Sequence, residues 1–270
     1  MTPDQRDTNL LQAAQGSDGI LCLTLNDPNR RNALSEAMLV ELGVTFDAAS
    51  NNPDVRVIIL AAMGPVFCAG HDLKEMTAGR QNVDRGRAYF TKILHRCSSV
   101  MQKIVTCPKP VIAEIDGVAT AAGCQLVASC DLAVASEIAQ FCTPGVHIGL
   151  FCSTPMVALS RNLANKHAME MLLTGDMVPA SRAAEIGLVN QVVPSGELRA
   201  TSIALAKKIA AKSSLTVATG KRAFYQQKEM DLAAAYNYAS GIMVENMLAR
   251  DAEEGIAAFI EKRTPDWRDE

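Results

Sequence analysis

The chain has 270 residues, a hydrophobic content of 49% and a net charge of −3. That suits one large α/β domain with a helical extension, and charges of both signs are mixed along it, which argues against a nucleic-acid partner. No apolar run is long enough to span a bilayer, and residues 1–7 carry acidic groups and no apolar core, unlike a secretory signal or a transit peptide; the expectation is a soluble cytoplasmic protein with no membrane partner.

Residues 19–25 form an apolar, strand-like run closed by the turn Asn26-Asp27-Pro28-Asn29. Ser35 caps a helix to about residue 49, with Met38, Leu39, Leu42 and Phe46 on one face. Residues 55–61 are wholly apolar and read as a buried strand. A turn at Met63-Gly64-Pro65 leads to Phe67-Cys68-Ala69, where Gly70 ends a strand and Asp72 starts a short helix. Residues 77–86 read as a mobile polar loop, 87–105 as a helix, 111–115 as a strand, 122–129 as a helix and 131–135 as a strand. Beyond Ser153 the pattern turns helical: 155–162, 165–173, 181–186, 197–211, 215–226, 232–248 and 251–262, with one strand at 188–193. The recurring strand–turn–helix–strand unit before residue 150 predicts an α/β spiral of ββα layers, followed by a helical layer suited to packing or oligomerisation. The divisions drawn from this are an N-terminal extension over 1–18, a spiral core over 19–200 and a C-terminal helical layer over 201–270.

Cysteines stand at 22, 68, 97, 107, 124, 130, 142 and 152, mostly in apolar runs and with no CxxC pair. They read as reduced, buried small hydrophobes. The histidines at 71, 95, 147 and 167 are scattered, so no metal site is expected.

Two small-residue turns carry the chemistry. Phe67-Cys68-Ala69-Gly70-His71-Asp72-Leu73-Lys74 and Asp116-Gly117-Val118-Ala119-Thr120-Ala121-Ala122-Gly123-Cys124 each leave a buried strand and open a helix. Two such turns can aim two backbone N–H groups at one oxygen, which is what an enolate-like oxyanion needs.

These two segments resemble the oxyanion-hole segments of the crotonase superfamily, the enoyl-CoA hydratase/isomerase group. Asp27-Pro28-Asn29-Arg30-Arg31-Asn32-Ala33-Leu34 resembles its CoA-groove entry. Leu172-Leu173-Thr174-Gly175 and the 184–189 stretch resemble its helical hinge, and Gly255-Ile256-Ala257-Ala258-Phe259 onward its C-terminal segment. The matches run in family order from about 19 to 263. The resemblance implies an acyl-CoA thioester as substrate, with coenzyme A belonging to the substrate and no separate cofactor. It implies an oxyanion hole from the main-chain N–H groups of His71 and Ala122, and CoA contacts from Arg30, Arg31, Ala33, Ala69, Leu73 and Lys74, with Phe259 and Lys262 reaching in from the C-terminal layer. A homotrimer or dimer of trimers follows from the same likeness.

Family hydratases use two glutamates to hold, deprotonate and add a water. Their positions here are Gln125 and Gly145. A glutamine cannot take a proton near neutral pH and a glycine offers nothing. The expected function is acyl-CoA binding with poor hydratase activity, in fatty-acid or related thioester metabolism. The alternatives are a non-catalytic acyl-CoA binder, and an enzyme resembling methylmalonyl-CoA decarboxylase or a thioester hydrolase that uses His71, His147 or a bound water. The blander readings are that the His71 ring merely faces CoA or solvent, that His147 is a wall residue satisfied by backbone, that Cys68, Cys124 and Cys152 are filler, and that Ser153-Thr154 caps a helix.

Overall fold

The computed structural model describes residues 9–270; the sequence expectation for residues 1–7 lies outside them. Chain order begins with β1 (Leu11–Gln15), β2 (Ile20–Leu25), α1 (Glu36–Asn51), β3 (Val57–Ala62), β4 (Val66–Cys68), α2 (Leu73–Gly79) and α3 (Arg87–Thr106). It continues with β5 (Val111–Ile115), β6 (Val118–Thr120), α4 (Ala122–Ser129), β7 (Leu132–Ser136), β8 (Gln140–Cys142), α5 (Ser153–Asn162), α6 (Asn165–Thr174), β9 (Val178–Pro179), α7 (Ala180–Glu185) and β10 (Gln191–Val193). The last four helices are α8 (Leu198–Ala210), α9 (Ser214–Gln227), α10 (Leu232–Leu248) and α11 (Arg250–Glu261).

Two sheets are built at once. The larger runs β1-β2-β3-β5-β7-β10 and the smaller β4-β6-β8-β9. Each turn of the chain lays one strand in each sheet and then a helix or helical turn, so β3–β4, β5–β6 and β7–β8 are successive ββ layers of a spiral. Pairing within the spiral is parallel, while β1 on β2 and β9 on β8 are antiparallel. Layers stack through their corners. Gly117 sits at φ +86° between β5 and β6, and a Cβ there would lie 2.0 Å from the Pro65 carbonyl oxygen in the corner below. Only glycine permits that approach.

Three sequence expectations change. Residues 11–15, read as part of an extension, pair with β2 in full register and close the sheet edge. The strands β6, β8 and β9 were not foreseen; two or three residues carry too little periodicity to be read. The segment 77–86 is also more ordered than a free loop: α2 runs to Gly79, whose Cα packs against the Tyr89 ring, and Asp84 accepts from the amides of Gly86 and Ala88.

Both faces of the large sheet are covered. The inner core gathers Leu23, Leu25, Met38, Phe46, Ile58, Leu60, Phe67, Leu126 and Phe141. On the outer face α8 sets Leu198 and Ala206 over Ile20, Val57, Ile59, Ile112 and Val134. Glu114 projects into that outer layer. Burial pushes its carboxyl above the usual range, opposed by the Arg199 guanidinium at 3.3 Å and by Ser202, and reinforced by Asp116. A raised carboxyl is tolerated best when protonated, so its burden on the fold grows as pH rises from the ordinary glutamate value through its own. Glu114→Gln should therefore raise Tm more at pH 8 than at pH 4 in paired thermal melts; equal shifts at both pH values would contradict this.

A second buried group ties the helical layer down. The Lys221 side chain on α9 is 7% exposed, and its ammonium donates to the carbonyls of Ile104 (3.0 Å) and Lys109 (3.1 Å) and to Asp131 (2.6 Å). Asp131 also accepts from Val111 N and the Tyr225 hydroxyl. Every donor and both carboxylate oxygens are used. Removing one partner strands the other, at a cost of about 3–5 kcal/mol. Denaturant unfolding of Lys221→Met should show a loss of that size, whereas Lys207→Met, at an exposed pair, should change little.

Candidate functional site

The site is made where β4 and β6 end side by side. Residue 66 pairs with 118 and 68 with 119, so the two turns that follow are carried to the same place. They touch main chain to main chain. A Cβ on Gly70, at φ +85°, would lie 3.1 Å from Thr120 O and 3.2 Å from Ala122 N; one on Gly123 would lie 2.1 Å from Cys68 O. The Thr120 hydroxyl donates to Ala69 O at 3.0 Å. Leu34 N donates to Gly70 O and Ala69 N to Arg31 O, so residues 31–34 brace the first turn.

Ala121 adopts φ +51°, a costly conformation for alanine (about 1–3 kcal/mol). Its N–H is held by Cys142 O at 2.9 Å. That twist starts α4 at Ala122 with no side-chain cap. The amides of His71 and Ala122 find no acceptor among the described residues, and the second is a helix N-terminus with its partial positive charge. Nothing in the sequence announces the strain at Ala121, because alanine is not a residue that signals positive φ.

Polar side chains in the site are also unpartnered. Gln125, one helical turn after Ala122, is 4% exposed and its Oε1 has no hydrogen-bond partner. Both ring nitrogens of His71 are shielded from solvent and unbonded. Burial holds the His71 pKa below its ordinary value, with the Leu34 backbone acting weakly the other way. The ring is neutral at physiological pH. Buried polar groups are rarely left without partners; these two belong to the segments of the two turns, and Glu114, Ser136 and Ser202 carry such atoms elsewhere among the described residues.

Gly145 is buried in the helical turn Pro144–Ile148. A Cβ there would meet Leu150 O at 2.8 Å and Cys152 Sγ at 2.9 Å. His147 Nε2 lies 2.8 Å from Thr174 O, so its ring has a main-chain partner. The thiols around the site stay protonated: burial raises Cys68 to about 12 and Cys142 to about 11, and raises Cys124 and Cys152 also. α5 starts at Ser153, with Cys152 as its N-cap residue and no side-chain cap bond.

The expected CoA residues divide. Leu73 and Lys74 line an open cleft of about 490 Å³ with Thr77, Ala78 and Gln81. Arg31 is exposed, and no ion pair engages it or Lys74 among the described residues. Arg30 is committed elsewhere: it binds Asp72 and lies 3.0 Å from Glu75, its charge cancelled by the carboxylate that caps α2. Ala33 is buried behind the turn. Phe259 is 85% exposed on α11. The tail after that helix is held by Arg56, just before β3, which binds Ala210 O, Lys212 O and Asp269, and by the Trp267 indole, which donates to Ala211 O. Lys262 ends the same helix at φ +58°, with no bond to the site among the described residues. Among those residues no His/Cys/Asp/Glu cluster could hold a metal, and no helix is long and apolar enough to cross a membrane.

The family model described as enoyl-CoA hydratase/isomerase matches residues 15–270. Enoyl-CoA hydratase domain-containing protein 3, mitochondrial, of Rattus norvegicus is 49% identical over 257 residues, covering 95% of this chain and 84% of that protein. The crystal structure of an enoyl-CoA hydratase of Mycobacterium smegmatis superposes with a TM-score of 0.91 at 50% identity, covering 96% of this chain and 98% of that one. The structure of human enoyl-CoA hydratase domain-containing protein 3 gives 0.90 at 47%, covering 96% and 100%. The rat, mouse and human relatives are named as mitochondrial, which overturns the cytoplasmic expectation; the acidic residues and missing apolar core of residues 1–7 were no guide to compartment.

The contact at Gly123 gives a direct check. Gly123→Ala should force the two turns apart, destabilise the fold by about 1–3 kcal/mol and abolish acyl-CoA binding in calorimetric titration. Gly196→Ala, where a Cβ meets nothing within 4 Å, should do neither.

Proposed function

We propose that this chain, which belongs to the enoyl-CoA hydratase/isomerase family, binds an acyl-CoA thioester and polarises its carbonyl oxygen with the main-chain N–H groups of His71 and Ala122. The observation that carries this is the meeting of two turns whose amides lack acceptors, one of them at the uncapped N-terminus of α4. One such donor contributes about 3 kcal/mol to an enolate-like transition state. The nucleotide end lies along Arg31, Ala69, Leu73 and Lys74. Arg30 acts there by fixing Asp72, hence α2, and not as a free cation.

Ordinary hydration is weak. Adding water across the double bond needs a group that takes a proton from water and one that returns a proton to carbon. Gln125 can hold a water but cannot accept its proton, and position 145 has no side chain. Each missing acid or base removes about 10²–10⁴ in rate. The protein therefore works in acyl-thioester metabolism as a binder, or as an enzyme whose step needs stabilisation of an enolate more than it needs a base.

One such step is favoured by the neutral lining. In loss of CO₂ from a carboxylated acyl thioester, the bond to the carboxylate breaks, its electron pair passes to the thioester oxygen as an enolate, and water returns a proton to carbon. The uncharged His71 and Gln125 do not repel an incoming carboxylate as two glutamates would.

A homo-oligomer, a trimer or dimer of trimers, completes this reading. α10 has no buried residue in the single chain and exposes Leu232, Tyr236, Met243, Val244, Met247 and Leu248. Phe259 and Lys262, exposed at the end of α11, serve a neighbouring copy's CoA.

Titration should give saturable binding of butyryl-CoA. Crotonyl-CoA hydration should run at least about 10³-fold slower than in a two-glutamate hydratase assayed beside it. Hydration at the reference rate would overturn the reading. Gln125→Glu alone should restore little, since a single carboxylate leaves half of the proton transfer unmade.

A further inference from the structure

The space that a second carboxylate would use is filled, and what fills it bears on which acyl groups fit. Any side chain at 145 would project into Leu150 O and Cys152 Sγ, at 2.8 and 2.9 Å from its Cβ. This wall belongs to the thioester end of the site. Cys142, at its start, pairs with Thr120, and its carbonyl accepts the N–H of Ala121, the residue next to the Ala122 donor. The thiols of Cys124, Cys142 and Cys152 lie near enough to disfavour one another's ionisation. A carbonyl held by Ala122 N thus has its first acyl carbons beside this wall.

The wall is also braced from behind. The Thr143 hydroxyl donates to Met171 O at 2.8 Å, and His147 Nε2 lies 2.8 Å from Thr174 O. Gly175 presses on Pro144, where a Cβ would come within 3.0 Å of the proline Cα. Leu150 N closes the loop on Gly145 O at 2.9 Å. α6 and the loop's own hydrogen bonds pin Thr143, Gly145 and Leu150 in place, and close-packed walls discriminate by volume.

We propose that Cys152, together with the Leu150 carbonyl, sets the size limit beside the first acyl carbons, so that the site accepts straight-chain acyl-CoA thioesters and rejects those branched at the β-carbon. The proposal rests on the acyl-CoA reading given above. Its role is volume, not nucleophilicity: the thiol is 8% exposed and burial keeps it protonated. One excess methyl against an unyielding wall is worth about 10–200-fold in selectivity.

The test is calorimetric titration of the full chain with butyryl-CoA and isovaleryl-CoA. Wild type should bind butyryl-CoA at least about tenfold more tightly. Cys152→Ala should bring the two within about threefold by improving isovaleryl-CoA, while Cys152→Ser, nearest in size, keeps the wild-type preference. Cys22→Ala, on the outer face of the sheet, should also keep it. Equal affinity in wild type, or an unchanged ratio in a folded Cys152→Ala protein, overturns the proposal. Failure of both ligands to bind wild type would instead overturn the acyl-CoA reading and this proposal with it.

Discussion

The structure depends on a contact with no side chains in it. The first turn of α4 lies directly on the end of β4, with Gly123 against the Cys68 carbonyl and Gly70 against the Ala122 amide. Packing main chain on main chain leaves no tolerance for a Cβ, and it brings the starts of two turns from different layers of the spiral together. The spiral supplies the rest. Parallel pairing of β4 with β6 sets the register, and stacked corners such as Gly117 on Pro65 keep successive layers aligned.

Around that contact the molecule accepts local disadvantage. Ala121 takes a positive φ, two amides have no acceptor, and the imidazole and amide side chains of His71 and Gln125 are shielded without partners. Elsewhere buried charge is treated differently. Lys221 and Asp131 are buried as a saturated pair whose partners come from α3, the loop before β5, the start of β5 and α9. One cluster has every partner it needs; at the turns, as at Glu114, Ser136 and Ser202, buried polar atoms are left without one among the described residues.

The side chains that the two turns and the segment after them gather are uncharged: an amide, an imidazole and protonated thiols. Position 145 has no room for a side chain, since a Cβ there would meet Leu150 O and Cys152 Sγ.

The sequence by itself determined the α/β spiral and the two turns, because long apolar runs, helix caps and glycines at forced positions are local signals, and the family, through the motifs that resemble it. The tertiary structure alone decided the rest. That Arg30 is spent on Asp72 and Glu75, that Cys152 occupies the volume beside Gly145 and that residues 11–15 pair with β2 are all facts about neighbours apart in sequence. Charge pairing and excluded volume are relations between residues brought together by folding, and no single position carries them in its own letter.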